Sequence, residues 1–179
     1  MIVSGYKSSD IQLELFDRPL TGHGQIRTIV GEWAEDLSAT FWDLRRHKTD
    51  SRADYCPDLS NGTEFVESKA VGRSGQVFVY SGRLDKDWLF AVDHVLYYCI
   101  WHHKTDTTRF STRSELVTDL YRTLDSMYLV PFHVMYSTMR RKPCSKLNSK
   151  YGKQTPDNET YGSGYRASLS AFDDYRMVF

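Results

Sequence analysis

Two acidic residues and a lysine lie close together in the first half of this 179-residue chain. Asp58 follows Pro57, and after eight further residues comes Glu67-Ser68-Lys69. Carboxylate oxygens are the ligands that Mg²⁺ prefers, and such an ion would polarise a phosphate ester and activate a water molecule. A lysine beside the carboxylates would orient that water and stabilise negative charge in the transition state. Asp58, Glu67 and Lys69 therefore predict metal-assisted hydrolysis of a phosphodiester.

A β-hairpin over residues 53–71 is predicted to bring these three residues together. Asn61-Gly62 is a strong signal for a tight turn between two extended arms. Alternate side chains of a strand share a face, so Glu67 and Lys69 would point one way and Ser68 the other. Two carboxylates that meet across such a hairpin repel each other, and without a cation one of them would tend to keep its proton.

The remaining hydrophobic periodicities predict an α/β domain whose mixed β-sheet is flanked by helices. A first helix is expected over 24–46, closed by the cations of 45–48, and a second over 113–128, capped by Ser111 or Thr112. Between the helices we expect strands at about 75–82 and 94–102, with a turn or short helix at 84–92. The last segment, from Tyr165, is predicted to return to the fold as a strand.

Positive charge is concentrated near the C-terminus although the net charge is zero. No acidic residue lies between Asp125 and Asp157, and tyrosines are interleaved with the cations there. Cations hold phosphates, and tyrosines can pack on sugars or bases. We therefore expect a single domain over 1–179, with a catalytic core at about 24–130 and a basic arm at about 131–165 that contacts DNA. The DNA-binding cations would be Arg140, Arg141, Lys142, Lys146, Lys150 and Lys153.

Pro57-Asp58 followed by Glu67-Ser68-Lys69 resembles the motif of the PD-(D/E)xK nuclease superfamily, and with the preceding helix the resemblance covers about residues 24–103. It implies the restriction-endonuclease-like fold and a Mg²⁺ ion, for which Mn²⁺ would substitute, held by Asp58, Glu67 and the backbone carbonyl of Ser68. Members often add a glutamate from the first helix. The stretch from Gly31 to Leu37 is similar to that helix in archaeal junction resolvases, which makes Glu35 the first choice and Glu32 the second.

The function that this resemblance implies is a metal-dependent endonuclease that hydrolyses double-stranded DNA, of the restriction or homing type. A homodimer would place one site on each strand. Three alternatives stay open: a Holliday-junction-resolvase-like nuclease, a DNA-binding protein that keeps the fold without catalysis, and a protein-interaction module whose acidic residues are surface decoration.

Other residue types predict where the protein is located in the cell and where several individual side chains lie. No apolar run is long enough to cross a membrane, and no secretory signal is visible at the N-terminus. An odd number of widely spaced cysteines favours reduced thiols in an intracellular, cytoplasmic protein. His102-His103 would not share a metal, because adjacent strand residues point to opposite faces, and a surface position at a strand end is expected for them. Trp88 and Trp101 are predicted to lie in the core.

Overall fold

The structure, a computed structural model, describes residues 19–20, 22–47, 56–141, 143–144 and 164–178. The helices are α1 (His23–Trp42), α2 (Ser81–Ala91), α3 (Arg113–Arg122), α4 (Phe132–Arg140) and a 3-10 helix (Leu169–Tyr175). The strands are β1 (Arg45–Arg46), β2 (Leu59–Ser60), β3 (Glu64–Val71), β4 (Gln76–Tyr80), β5 (Val95–His103), β6 (Leu124–Pro131), β7 (Pro143–Cys144), β8 (Gly164–Ser168) and β9 (Arg176–Val178).

Within these residues the strands form a six-stranded sheet in the order β1-β2-β3-β5-β6-β9 and a three-stranded sheet in the order β4-β8-β7. The neighbours β3 and β5 are parallel, and their connection runs through β4 and α2. All other pairs of neighbouring strands are antiparallel. The prediction of a mixed α/β fold with a mixed sheet is therefore confirmed.

The six-stranded sheet separates two apolar clusters. On one face α1 and α3 pack against the sheet through Trp33, Leu116 and Trp101. On the other face α2, α4 and the smaller sheet pack around Tyr98 and Phe132. Because both faces are covered, the central strand β5 is buried along most of its length and lacks an alternating polar side.

The predicted hairpin is present, and its first arm is short. β2 pairs antiparallel with β3 only at Leu59 with Val66 and at Ser60 with Phe65. Asn61 closes the turn by accepting hydrogen bonds from the backbone N–H groups of Thr63 and Glu64, and Gly62 adopts a φ of 100°, which favours glycine. From Glu67 onward, the described residues place no strand beside the outer edge of β3. This open edge lies between α1 and α2 and forms the floor of a cleft.

The first helix ends earlier than the sequence suggests. α1 stops at Trp42, where Asp43 adopts a left-handed conformation with a φ of 50°. The prediction that residues 45–48 close the helix is wrong, because Arg45 and Arg46 instead pair with β2 at the edge of the sheet.

The second predicted helix is correct at its start and wrong at its end. Thr112 accepts a hydrogen bond from the Glu115 N–H, and the Glu115 carboxylate accepts one from the Thr112 N–H, which completes a capping box. α3 nevertheless ends at Arg122, and residues 124–131 form β6 beside β5. A short apolar run such as that of residues 127–130 fits a buried strand as well as a helix, and pairing with β5 decides between them.

Thr112→Ala is expected to lower the free energy of unfolding by about 1 kcal/mol, because it removes the N-cap of α3. Thr28→Ala is the matched control, since the Thr28 hydroxyl donates to the Gly24 carbonyl within α1 and caps no helix end. Urea denaturation followed by circular dichroism measures both variants. Equal stability of the two variants would contradict the role of the capping box.

The two tryptophans predicted for the core differ. Trp101 is buried and its indole N–H donates to the Ser38 hydroxyl at 2.7 Å, so the prediction is confirmed for this residue. Trp88 is 46% exposed and stacks on Tyr136 at a centroid distance of 4.4 Å, so the prediction is wrong there. Within the described part of the chain, no helix combines the length and the apolar character that a membrane span requires.

Candidate active site

Asp58 and Glu67 meet at the open edge of β3. Asp58 directly precedes β2, and its Oδ2 accepts a hydrogen bond from the Ser68 N–H at 2.9 Å. That N–H would otherwise lack a partner, because β2 ends its pairing at Val66. The N–H and C=O of one strand residue point to the same side, so the Ser68 carbonyl also faces this edge. Asp58, Glu67 and Ser68, the three residues that the sequence analysis assigns to a metal ion, all line the cleft.

Glu67 is 1% exposed and carries a cation on each carboxylate oxygen. Lys69 Nζ donates to Glu67 Oε1, which confirms that the two side chains share a face of β3. Arg83 Nη2, from α2, donates to Glu67 Oε2 and lies 4.0 Å from Asp58 Oδ1. Buried carboxylates require such partners because the loss of hydration is costly.

The two acids have opposite pKa shifts. Burial and the negative charge of Glu67 together raise the pKa of Asp58 to about 7, against the opposing effect of Lys69 and Arg83. For Glu67, burial also acts to raise the pKa, but Lys69 and Arg83 outweigh it and lower the pKa below its usual value. Near neutral pH, therefore, Glu67 is ionised and Asp58 is only partly ionised. This behaviour is expected when two carboxylates lie close together and the cations beside them do not fully neutralise both.

Helix α1 contributes a third acid to the cleft. The Ser38 and Ser68 hydroxyls are hydrogen-bonded at 2.9 Å, which fixes α1 beside the middle of β3. Glu35, one turn earlier, lines the cleft. Burial raises the pKa of Glu35; Arg46 opposes this effect and the charge of Glu67 adds to it. Glu35 also pairs with Arg46 at 3.6 Å.

Glu32, the second choice from the same helix, points elsewhere. Its carboxylate pairs with Arg113 of α3 at 2.8 Å, and it does not line the cleft. Glu35 thus lines the same cleft as Asp58 and Glu67, while Glu32 joins α1 to α3 on the face of the sheet that these two helices cover.

The cleft has a volume of about 870 Å³. Its walls come from the first half of α1 and the first turns of α2, and its floor comes from β3 and the end of β5. Arg27 and Lys86 contribute exposed cations to the lining, one from each wall. Cations on the walls of a groove attract an anionic substrate, and acids at its floor suit a metal ion that would lie between them and that substrate.

Arg83 was not anticipated from the sequence. The prediction of a turn or short helix at 84–92 begins three residues too late, because α2 starts at Ser81. Arg83 and Asp87 are separated by one helical turn, and their side chains lie 3.4 Å apart. This Arg-x-x-x-Asp spacing was the available signal, because it favours an ion pair once a helix is assumed.

The two adjacent histidines do not converge on one site. His102 Nδ1 lies 3.1 Å from Asp125 Oδ2. His103 is 3% exposed, packs against Trp33 in a T-shaped arrangement and lines the cleft, so the expected surface position is wrong for it. Burial lowers the pKa of His103 to about 4, and the neighbouring His102 contributes to the shift, so His103 is neutral at physiological pH.

The predicted basic arm begins with a packed helix. α4 buries Phe132, Met135 and Met139, so the segment 131–140 belongs to the core rather than to a separate arm. Arg140, at its end, donates to the hydroxyls of Tyr136 and Tyr165 at 3.0 and 2.7 Å. Arg140 and Arg141 are exposed and lie outside the cleft lining. Four of the predicted DNA-binding cations fall outside the described residues: Lys142, Lys146, Lys150 and Lys153.

The chemistry of the donor set fits a magnesium ion with few protein ligands. Among the described residues, no three acid, histidine or cysteine side chains converge into a complete cation site. Mg²⁺ is usually bound through one or two carboxylates together with substrate phosphates and water. Asp58 and Glu67 provide two carboxylates, and the raised pKa of Asp58 indicates that a further positive charge would be accommodated there.

Fold and site together define a mixed α/β protein with an acid-lined cleft at the open edge of one strand. Neither protein-family models, curated proteins nor solved structures give a match to this chain. The function is therefore argued from the residues of the cleft.

Proposed function

We propose that this protein is a metal-dependent endonuclease that hydrolyses phosphodiester bonds in double-stranded DNA, of the restriction or homing type and built on a restriction-endonuclease-like fold. The observation that carries the proposal is the meeting of Asp58 and Glu67 at the open edge of β3, with Lys69 bound to Glu67 on the same face. The proposal for the fold is supported by a hairpin, a crossover and a parallel strand that follow a helix in this order.

Asp58, Glu67 and the carbonyl of Ser68 would hold Mg²⁺, for which Mn²⁺ would substitute. The ion supplies Lewis-acid activation of the phosphate and of the attacking water when it is bound. Lys69 is 29% exposed and keeps its ammonium group at the cleft floor, where it would donate to the attacking water and offset charge on the phosphate. Glu35 would accept a hydrogen bond from that water across the cleft, since its pKa is raised by burial.

The partner that we propose is duplex DNA, and the setting that we propose is intracellular. Arg27 and Lys86 on the cleft walls would contact phosphates near the scissile bond. Arg140, Arg141 and the four lysines that follow would contact phosphates farther along the duplex. A homodimer would present two clefts, one to each strand.

The direct test is incubation of the purified protein with plasmid and phage genomic DNA in Mg²⁺, with Asp58→Ala as the comparison. Discrete fragments from the wild type alone would support a restriction or homing enzyme. A preference for a synthetic four-way junction over linear duplex would favour the resolvase alternative. Salt-dependent DNA binding without cleavage in Mg²⁺ or Mn²⁺ would favour the non-catalytic alternative, and the absence of both binding and cleavage would refute all three.

The combined change of Arg140, Arg141 and Lys142 to alanine is expected to weaken binding to duplex DNA and to flatten its salt dependence. Each phosphate contact contributes about 0.9 to the slope of log affinity against log salt, so the slope should fall by up to about 3. Fluorescence anisotropy in EDTA at several salt concentrations measures it. Arg122→Ala, an exposed cation paired with Asp119 on α3, is the control. An unchanged slope would remove this segment from the DNA interface.

A further inference from the structure

Arg83 occupies a position for which the proposed chemistry has no assigned role. It reaches from the first turn of α2 to Glu67 Oε2 and stands 4.0 Å from Asp58 Oδ1, so its guanidinium lies over both carboxylates. Lys69 holds only the other oxygen of Glu67. One oxygen of the most deeply buried acid in the cleft is thus bound by an arginine that belongs to the opposite wall.

A buried acid, Asp87, contacts the guanidinium of Arg83 and helps to fix its position. Asp87 is fully buried, and its Oδ1 lies 3.4 Å from Arg83 Nε. The other oxygen of Asp87 accepts a hydrogen bond from the hydroxyl of Tyr98, which is itself buried on β5. Because Tyr98 is the register partner of Glu67 in the β3–β5 pair, the sheet and the helix fix both ends of this series of contacts. A side chain restrained in this way does not leave Glu67 freely.

Arginine and a divalent cation make competing demands on one carboxylate. Guanidinium groups and Mg²⁺ both draw on the same oxygen lone pairs, and two cations a few ångströms apart repel each other. We propose that Arg83 is a positioning residue that holds Glu67 for catalysis and competes with the metal ion for it, so that the free protein binds the metal more weakly than its two carboxylates alone would. This inference rests on the proposed function.

If Arg83 competes with the metal ion, its removal changes the metal affinity in the direction opposite to that expected for a merely structural residue. Removal of a supporting side chain normally weakens metal binding. Removal of the positive charge at Arg83 is expected to strengthen Mn²⁺ binding by about tenfold, since a like charge near the ion is lost. The same change is expected to slow cleavage at saturating Mg²⁺, because Glu67 loses the contact that orients it.

The experiment measures Mn²⁺ affinity of the full-length protein without DNA, by electron paramagnetic resonance at pH 8. The variants are Arg83→Met and Arg83→Gln, two ways of removing the charge, and Arg83→Lys, which keeps it. Lys86→Met is the matched control, because Lys86 lines the same cleft one turn further along α2 and makes no ion pair among the described residues. Circular dichroism establishes that each variant is folded.

Tighter Mn²⁺ binding in either charge-removing variant, with Arg83→Lys and Lys86→Met close to wild type, supports the inference. Unchanged or weaker binding in the folded charge-removing variants overturns it, as does an equal gain in Lys86→Met, which would indicate a general charge effect. A wild type that cleaves DNA and binds Mn²⁺ while neither Arg83→Met nor Arg83→Gln binds Mn²⁺ more tightly refutes the role of Arg83 alone. A wild type that neither binds Mn²⁺ nor cleaves DNA refutes the proposed function as well.

Discussion

Lys69→Ala is expected to abolish metal-dependent cleavage, with the single-turnover rate falling by at least about 10²-fold. The ammonium group contacts Glu67 at the floor of the cleft and is the only lysine nitrogen with that contact among the described residues. Its loss removes the donor that would orient the water and offset charge on the phosphate. The conversion of supercoiled plasmid to nicked and linear forms in Mg²⁺ measures the rate.

The affinity of Lys69→Ala for duplex DNA should change little, because one phosphate contact at most is lost. Lys86→Ala removes a lysine from the same cleft without touching either carboxylate, and it should retain much more activity. Full cleavage by Lys69→Ala would refute its catalytic role. Equal losses in the two variants would mean that the cleft requires positive charge in general and not an ammonium group at this position.

Asp58→Asn is expected to abolish cleavage and, in EDTA at pH 8, to raise the free energy of unfolding by on the order of 2 kcal/mol. Burial and the charge of Glu67 raise the pKa of Asp58 to about 7 from its usual value of 3.8. An acid that binds its proton more tightly in the folded state costs stability once it ionises. Asparagine stays neutral and can still accept the hydrogen bond from the Ser68 N–H.

The sign of this effect depends on pH. The unfolded chain releases the proton near pH 4 and the folded chain near pH 7, so the wild type loses stability between these values. The advantage of Asp58→Asn should therefore grow from pH 5 to pH 7 and level off above it, as urea denaturation at each pH would measure. Asp85→Asn, an exposed acid on α2, is the control and should stay within about 0.5 kcal/mol of wild type. A destabilised Asp58→Asn, or a difference independent of pH, would contradict the environment assigned to Asp58.

Local turn and capping chemistry made part of this structure predictable. Asn61-Gly62 specifies its own turn, and Thr112 with Glu115 specifies a helix start, because the partners lie within a few residues of each other. The alternation along β3 then places Glu67 and Lys69 on one face without further information. The predicted meeting of these residues with Asp58 required only the hairpin.

Long-range pairing made the other part unpredictable. Residues 124–128 continue an apolar pattern that a helix would accept, and only the neighbouring β5 makes them a strand. Arg83 reaches Glu67 because α2 belongs to the crossover between β3 and β5 and lies beside β3, and no local pattern encodes that placement. Trp88 lies at the surface, where the ring of Tyr136, on a helix distant in sequence, stacks on it.

The margins of the larger sheet limit how two copies of the chain could associate. One margin is β1, which consists of two exposed arginines. The other margin is β9, which has three residues and is fixed to the sheet by the ion pair between Arg176 and Asp125. Short and charged border strands discourage the continuation of a sheet into a neighbouring molecule. A dimer that cuts both DNA strands would therefore join through helices or loops, and the two sheets would stay separate.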